Sequence, residues 1–390
     1  MLVGIVGAPN KGKSTLFSSM TSMEVQIADY PFTTIKPNVG MAYVTEKCPH
    51  PSLGLASCNP KNSACVNGTR KIPVKIIDVA GLIEGAHSGR GMGNQFLNDI
   101  AAADALIIVV DASGRTDSSG NPSAGSNPLD DIEMVLSEIS EWIAQIIKKH
   151  VKEAGRIGIN AMLHNALSGL NVSDSQIEKA IGAAGLRGDL STDYGIYEIS
   201  KEILKVSRPF IIAANKSDIP GSEAAVKLLQ EKYGGERVVA CSAAIELALS
   251  KAVNTGIISY DSAKGSISVL SQSISAEQSK ALAFMEKFVR EHGTGVQNLI
   301  NRVYLKILDN IVVYPVEDEN KFCDHFGNLL PDAILIKRGS SAKDLAAHIH
   351  TDIAEKMLYA VDARTKMRLS KDYILKENDI IKIVSSAKSV

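Results

Sequence analysis

The sequence predicts an α/β protein: a mostly parallel sheet flanked by helices, a helical insertion, and a small β-rich module at the C-terminal end. Three observations carry this reading. Apolar runs at Leu2–Val6, Val74–Ile77, Ala105–Val110, Pro209–Ala214 and Val238–Cys241 read as buried strands. The first run leads through a glycine-bearing loop into a helical pattern that opens at Ser14. From Ile311 onward the pattern turns to short strands around one short helix.

The first strand sets the chemistry. Gly7-Ala8-Pro9-Asn10-Lys11-Gly12-Lys13-Ser14-Thr15 fits G-x-x-x-x-G-K-[ST], the phosphate-binding loop, in the strand–loop–helix setting that the pattern requires. Gly7 and Gly12 permit a tight turn that brings backbone N–H groups to phosphate oxygens, and the helix N-terminus adds favourable dipole there. Lys13 is expected to reach the β- and γ-phosphates and the Ser14 hydroxyl to ligate Mg²⁺.

Composition narrows the class. The chain has 390 residues, a length that suggests two or three domains, with 45% hydrophobic and 22% charged residues. A formal net charge of -1 announces no global field for nucleic acid or membrane, so DNA is not an expected partner. Met1 leads straight into the first strand, and no apolar run approaches membrane-spanning length. A cytoplasmic protein without membrane contact is the expectation. Cysteines number five, and three fall between positions 48 and 65, which suggests a local metal site or chance rather than a disulfide framework.

Four further elements point to the nucleotide. Val74-Lys75-Ile76-Ile77-Asp78 ends in an acid and continues Val79-Ala80-Gly81, a D-x-x-G pattern. Asp78 is expected to hold Mg²⁺ and the Gly81 N–H to bond the γ-phosphate, so that loss of this phosphate releases the following loop. Upstream, Asp29-Tyr30-Pro31-Phe32-Thr33-Thr34 lies between the first helix and the next strand. A threonine there completes the Mg²⁺ shell, and Thr34 is preferred over Thr33; a plain turn is the competing reading. Asn215-Lys216-Ser217-Asp218 follows the strand ending at Ala214. An aspartate so placed accepts from guanine N1–H and the 2-amino group, donors that adenine lacks. Asn215 would brace the phosphate loop, and the Lys216 stem would cover the purine face. Ser242-Ala243-Ala244 follows the strand ending at Cys241, and a backbone N–H there, that of Ala243 above all, would meet guanine O6.

Taken together, Gly7 to Thr15, Asp29 to Thr34 with Lys36-Pro37-Asn38-Val39-Gly40, and Asp78-Val79-Ala80-Gly81-Leu82-Ile83-Glu84-Gly85-Ala86 resemble the Obg-related GTPases, which have a Ras-like P-loop fold. Gly89-Arg90-Gly91-Met92-Gly93-Asn94-Gln95-Phe96-Leu97 looks like the YchF branch. Members of that branch commonly carry an altered base-reading motif and accept ATP. This chain keeps Asn215-Lys216-Ser217-Asp218, so it resembles the sister branch, typical of archaea, in which guanine specificity is expected. The resemblance implies a Mg²⁺-dependent GTP switch with the ribosome, ribosomal RNA or a translation factor as partner.

Leu82 stands where Ras-like enzymes place a water-orienting glutamine, so slow intrinsic hydrolysis is expected. Asn10 occupies the position at which related GTPases help bind K⁺ beside the phosphates; the competing reading is that it only fixes the loop.

Boundaries follow from composition. Residues 1–127 and 207–308 are assigned to the nucleotide-binding domain, 128–206 to the helical insertion and 309–390 to a module that resembles a TGS domain. Ile132, Val135, Leu136, Ile139, Ile143, Ile146 and Ile147 form one apolar stripe of the insertion, and Asn171-Val172-Ser173-Asp174 marks a helix cap. Lys337, Arg338, Lys343, Arg364, Lys366, Arg368 and Lys371 of the last module are candidates for a local basic surface toward RNA phosphate, against a reading as scattered solubilising charge. Within the first domain, residues 45–71 break the sheet where a Ras-like fold has a tight hairpin. There Cys48, His50, Cys58 and Cys65 (C-x-H-x7-C-x6-C) offer four zinc-type ligands, against free thiols or a redox-dependent disulfide.

Overall fold

The computed structural model describes residues 1–22, 38–79, 93–185, 190–261, 265–271 and 274–386. Its contacts divide the chain into two units. One comprises Lys75–Leu299 with the N-terminal strand and helix; the other comprises Ala42–Val74 and Ile300–Val390.

In chain order the elements run β1 (Leu2–Val6), α1 (Lys13–Thr21), β2 (Val39–Lys47), β3 (Ala64–Val66), β4 (Thr69–Asp78), α2 (Gly93–Ala102) and β5 (Ala105–Asp111). Helices α3 (Pro128–His150), α4 (Ala154–Ile157), α5 (Ile159–Leu167), α6 (Asp174–Ala184) and α7 (Asp193–Ser207) follow without a strand between them. Then come β6 (Phe210–Asn215), α8 (Ser222–Tyr233), β7 (Val238–Ala240), α9 (Ala243–Asn254), β8 (Ile258–Asp261), β9 (Ser266–Val269), α10 (Ala276–His292) and α11 (Val296–Arg302). The last stretch is β10 (Asn310–Val316), β11 (Ile334–Lys337), α12 (Ala342–Ile349), α13 (Thr351–Glu355), β12 (Met357–Asp362), β13 (Arg368–Leu369) and β14 (Ile380–Ser385).

The main sheet has the order β2-β4-β1-β5-β6-β7, with β3 paired to β4. Strands β4, β1, β5, β6 and β7 are parallel neighbours. Every residue of β5 (ALIIVVD) and of β6 (FIIAAN) is buried, because helices cover both faces of a parallel sheet and leave no place for polar alternation. The carboxyl ends of β1, β5 and β6 therefore open onto one edge, where ligands of such sheets bind.

The helical insertion shares this core. Ile132, Val135, Ile139, Ile143 and Ile147 line one face of α3, are at most 2% exposed, and join the cluster that holds Ile77, Leu106, Ile108 and Ile212. Leu136 and Ile146 flank the stripe, partly buried. α3 starts where its sequence says it should: the Asn127 side chain accepts from the Leu129 N–H, Pro128 takes the first turn, and Asp130 and Asp131 favour the positive end of the dipole. At α6 the expected cap is Ser173, which forms a reciprocal capping box with Gln176.

β8 and β9 form an antiparallel hairpin that, with α9 and α10, encloses a small separate core of Ile245, Leu249, Ile258, Leu282 and Val289. The second unit carries a five-stranded mixed sheet of order β11-β10-β14-β12-β13, with α12 packed through Leu345 and Ala346 on Ile311, Val313 and Ile381.

Candidate functional site

The loop after β1 is shaped by two glycines. Gly7 has φ +151, and a Cβ there would lie 2.5 Å from the Val109 carbonyl oxygen of β5. Gly12 has φ +91 and precedes α1 directly; its Cβ would strike the Asn215 amide nitrogen at 2.3 Å. The Gly12 carbonyl accepts from the Leu16 N–H at 2.9 Å, closing the first turn of α1.

Inside this turn Lys13 is almost buried, and its Nζ donates to the Ala8 carbonyl at 2.8 Å, so the ammonium lies folded over its own loop. Burial lowers its pKa, while nearby Asp78 works to raise it. The Ser14 hydroxyl is exposed and bonds the Asp78 carboxylate; Thr15 beside it is partly exposed. Asp78 ends β4 half-buried. Desolvation pushes its pKa up, with Ser14 and Lys13 opposing. A hydroxyl and a partly desolvated carboxylate in contact, beside one ammonium, form a hard-oxygen donor pair of the kind that suits Mg²⁺.

Lys11 does not point into the cradle. It is fully buried, with Nζ 2.8 Å from Asp131 Oδ2 and 2.8 Å from the Thr116 carbonyl oxygen. Its expected contribution to phosphate binding is thereby confined to its backbone. Asn10 stands at φ 58 and donates its side-chain amide to the Gly120 carbonyl at 2.8 Å. The segment between β5 and α3, which reads as a plain Ser/Gly-rich loop, is thus fastened to the phosphate loop. Asp111 holds its near end by accepting from the Ser113 N–H at 2.9 Å and from the Thr116 hydroxyl at 2.7 Å.

Asn215, at the end of β6 and 3% exposed, joins three elements. Its Nδ2 donates to the Lys11 carbonyl at 2.9 Å, and its Oδ1 accepts from the Ala243 N–H at 3.2 Å. Lys216 adopts φ 62 and sends its Nζ to the Asn10 carbonyl at 3.1 Å and to Asp111 Oδ2 at 2.7 Å. Burial works against the charge on Asp111, yet bonds from Lys216, Ser113 and Thr116 outweigh it and hold its pKa below the usual range. Asp218 is half-exposed, its Oδ1 accepting from the Ser242 hydroxyl at 2.6 Å. Ser242 caps α9. The N–H of Ala243, expected to meet a base oxygen, already has Asn215 as acceptor. Ile245 and Glu246 donate to Ser242, and the Ala244 N–H has no acceptor among the described residues.

The structure therefore brings Asn10, Gly12, Lys13, Ser14, Thr15, Asp78, Asn215, Lys216, Asp218, Ser242, Ala243 and Ala244 into the unit that holds the parallel sheet. Phe32, Thr33, Thr34, Gly81 and Leu82 lie outside the described residues. Sequence reasoning missed Asp111 and Asp131. Asp111 had a signal, an acid ending an apolar strand; Asp131 reads as an ordinary first-turn acid of α3.

A second constellation lies in the other unit. The ligand atoms of Cys48, His50, Cys58 and Cys65 all lie within 4.8 Å of one another. Cys48 follows β2, Cys65 sits in β3, and the Asn67-Gly68 turn (φ 50 and 77) folds β3 back on β4 so that Cys65 pairs with Arg70. His50 opens a 3-10 turn that Gly54 ends.

Comparison with known proteins places these features. Residues 2–152 match the family model for 50S ribosome-binding GTPases, and residues 213–318 match that of the Obg-like GTPase YGR210-like, G4 motif-containing domain. Residues 327–385 match the TGS domain. A GTP-binding protein of Methanocaldococcus jannaschii is 46% identical over 394 residues, covering 99% of this chain and 100% of the relative. The crystal structure of a GTP binding protein from Pyrococcus horikoshii superposes with a TM-score of 0.79 at 37% identity, over 99% of this chain and 100% of that one. The ribosome-binding ATPase YchF of Bacillus subtilis is 35% identical over 159 residues, 40% of each chain. A relative alike from end to end, and family models at both ends of the chain, show that this protein belongs to the Obg-related GTPases of the YchF family and carries a C-terminal TGS domain.

Proposed function

We propose that the chain binds GTP with Mg²⁺ at the edge formed by the ends of β1, β4 and β6, hydrolyses it to GDP and phosphate, and uses the bound state as a switch on the translation machinery. The observation that carries the reading is the link through Asn215, which ties the phosphate loop at Lys11 to the first turn of α9, beside Asp218 held by Ser242. One side chain thus ties the phosphate loop to Ala243, the neighbour in sequence of the Ser242 that bonds Asp218.

In this reading Lys13 leaves the Ala8 carbonyl for the β- and γ-phosphates, and Ser14 and Asp78 hold Mg²⁺, with Thr34 and Gly81 completing the γ-phosphate side. When bound, Mg²⁺ neutralises phosphate charge. Asp218 accepts from guanine N1–H and the 2-amino group, and Ala243 or Ala244 donates to O6. Adenine would leave the Asp218 carboxylate facing no donor, a loss worth a large discrimination. The Lys216 stem, fixed by Asp111 and Asn10, offers an apolar cover for the purine face.

With Leu82 at the position after D-x-x-G, the attacking water lacks the usual amide partner, and intrinsic turnover is slow. Asn10 donates through its nitrogen to Gly120, which leaves its oxygen as a donor for K⁺ beside the phosphates. Single-turnover GTP hydrolysis measured in K⁺ and in Na⁺ tests both points. Faster hydrolysis in K⁺ supports a cation-assisted GTPase; equal rates remove the role of Asn10, and no hydrolysis in either leaves a sensor that binds without turnover. The relatives named as ribosome-binding, together with the TGS domain, support a ribosomal partner. Co-sedimentation with ribosomes that is stronger with a non-hydrolysable GTP analogue than with GDP is the expected result; nucleotide-independent binding would make the protein an adaptor instead.

A further inference from the structure

We propose that Cys48, His50, Cys58 and Cys65 bind one structural Zn²⁺ ion that fastens the 48–70 segment to the chain around Leu330. A tetrahedral ion with Zn–S bonds of about 2.3 Å has ligand–ligand edges of about 3.8 Å. Cys48 Sγ and Cys58 Sγ stand 3.7 Å apart, and Cys65 Sγ lies 3.8 Å from His50 Nδ1. All four donor atoms fall within 4.8 Å of one another, a compactness that suits one ion rather than a multi-iron cluster. Three sulfurs and one imidazole fill a closed four-ligand shell, which leaves no position for substrate and makes the site structural.

Arg70 separates this reading from its rivals. Its side chain is among the largest fully buried ones in the protein. One guanidinium nitrogen lies 3.5 Å from Cys58 Sγ and 4.0 Å from Cys48 Sγ; another donates to the Leu330 carbonyl at 2.6 Å. The Tyr314 ring lies 5.6 Å from the guanidinium, and Nε has no partner among the described residues. No carboxylate among the described residues pairs with it. A buried guanidinium without an anion is costly. A Cys48–Cys58 disulfide is neutral and would leave it so, as would three neutral thiols. Three thiolates, one neutral imidazole and Zn²⁺ sum to one negative charge, which Arg70 balances.

The surroundings show what the ion would hold. The segment after Cys58 has little secondary structure of its own. Asn59 N–H donates to the Leu329 carbonyl at 2.9 Å, Lys61 N–H to the Pro331 carbonyl at 2.7 Å, and Asn62 exchanges two bonds with Ala333. Lys61 pairs with Asp324 at 2.8 Å. The four ligands gather the end of β2, the 3-10 turn, this segment and β3 at one point, and Arg70 passes from that point to Leu330.

The test is metal analysis of the full chain purified anaerobically without chelator. One zinc per chain is expected, with less than a tenth of that in Cys58→Ser and Cys65→Ser. Because loss of a ligand can also be read as loss of folding, two measurements on folded protein accompany them. Stripped wild-type protein given Co²⁺ should show the intense visible bands of a tetrahedral thiolate site. Arg70→Gln should weaken zinc retention against a chelator at least tenfold, with Arg70→Lys recovering part of the loss. Protein that carries no zinc and takes up neither Zn²⁺ nor Co²⁺ would overturn the proposal. So would a Cys48–Cys58 disulfide found by mass spectrometry in protein kept under reductant.

Discussion

Replacing Lys11 with methionine breaks a fully buried ion pair beneath the phosphate loop. Lys11 Nζ and Asp131 Oδ2 are 2.8 Å apart, with side-chain exposures of 0% and 2%, and the other Asp131 oxygen has no hydrogen-bond partner among the described residues. Methionine keeps the length and apolar bulk of the stem but leaves the carboxylate buried and uncompensated. Breaking such a pair from one side costs about 3–5 kcal/mol, roughly 150-fold to several thousand-fold in the folded-to-unfolded ratio. The sign with pH follows from Asp131. Burial raises its pKa above the ordinary value, and Lys11 opposes that rise. Without Lys11 only the rise remains. A carboxyl with a raised folded pKa contributes most below its unfolded value of about 3.9 and loses that contribution as pH rises through the folded value. The deficit of Lys11→Met should therefore be largest near neutrality and shrink in acid. The chain has one tryptophan, Trp142, on the same helix as Asp131 and packed against the main core, so its fluorescence reports urea unfolding of this unit. The double variant Lys11→Met/Asp131→Leu should recover most of the loss, since an apolar pair of similar volume carries no buried charge. A deficit under about 1 kcal/mol, one that does not change with pH, or no recovery in the double variant would mean that the pair carries no such buried charge cost.

Other substitutions probe the remaining parts of the account. Asp218→Asn should lower GTP affinity about 100-fold, through loss of two charge-assisted bonds, and raise affinity for xanthosine triphosphate, whose 2-oxo group accepts from an amide; titration with both nucleotides reads this. Gly12→Ala should abolish nucleotide binding, because the added Cβ lies 2.3 Å from Asn215 Nδ2 at a φ of +91; equilibrium dialysis with labelled GTP checks it. Ile139→Ala, at a fully buried position of the α3 stripe, should cost about 2–5 kcal/mol in the same fluorescence titration, whereas a cost near zero would mean that the insertion does not share the core of the sheet.

Much of this molecule was legible in the chain because its signals are contiguous. The phosphate loop, the apolar run before Asn215 and the seven-position stripe of α3 each carry their meaning within one window, and each forms the element expected. The parallel sheet follows from uninterrupted apolar strands separated by helices. What escaped is long-range. Lys11 reads only as a member of the phosphate loop, yet its partner Asp131 lies 120 positions on, on a helix whose acidic first turn looks like ordinary dipole pairing. The fastening of Asn10 to Gly120 likewise depends on where a Ser/Gly-rich loop folds back, which no local pattern states. The β8–β9 hairpin is two four-residue strands, too short for a periodicity to show. The Cys/His ligand types were visible, but Arg70, buried beside them at the start of β4, reads in sequence as one more charge at the end of the interruption.

In the proposed function Asp218, held by Ser242 and linked to the phosphate loop through Asn215, selects guanine. Competition of unlabelled ATP and GTP for a fluorescent GTP analogue bound to the wild-type protein with Mg²⁺ tests it most directly. GTP should displace the probe at concentrations at least 100-fold below those of ATP, and Asp218→Asn should erase that difference. Equal displacement by the two nucleotides would contradict the account.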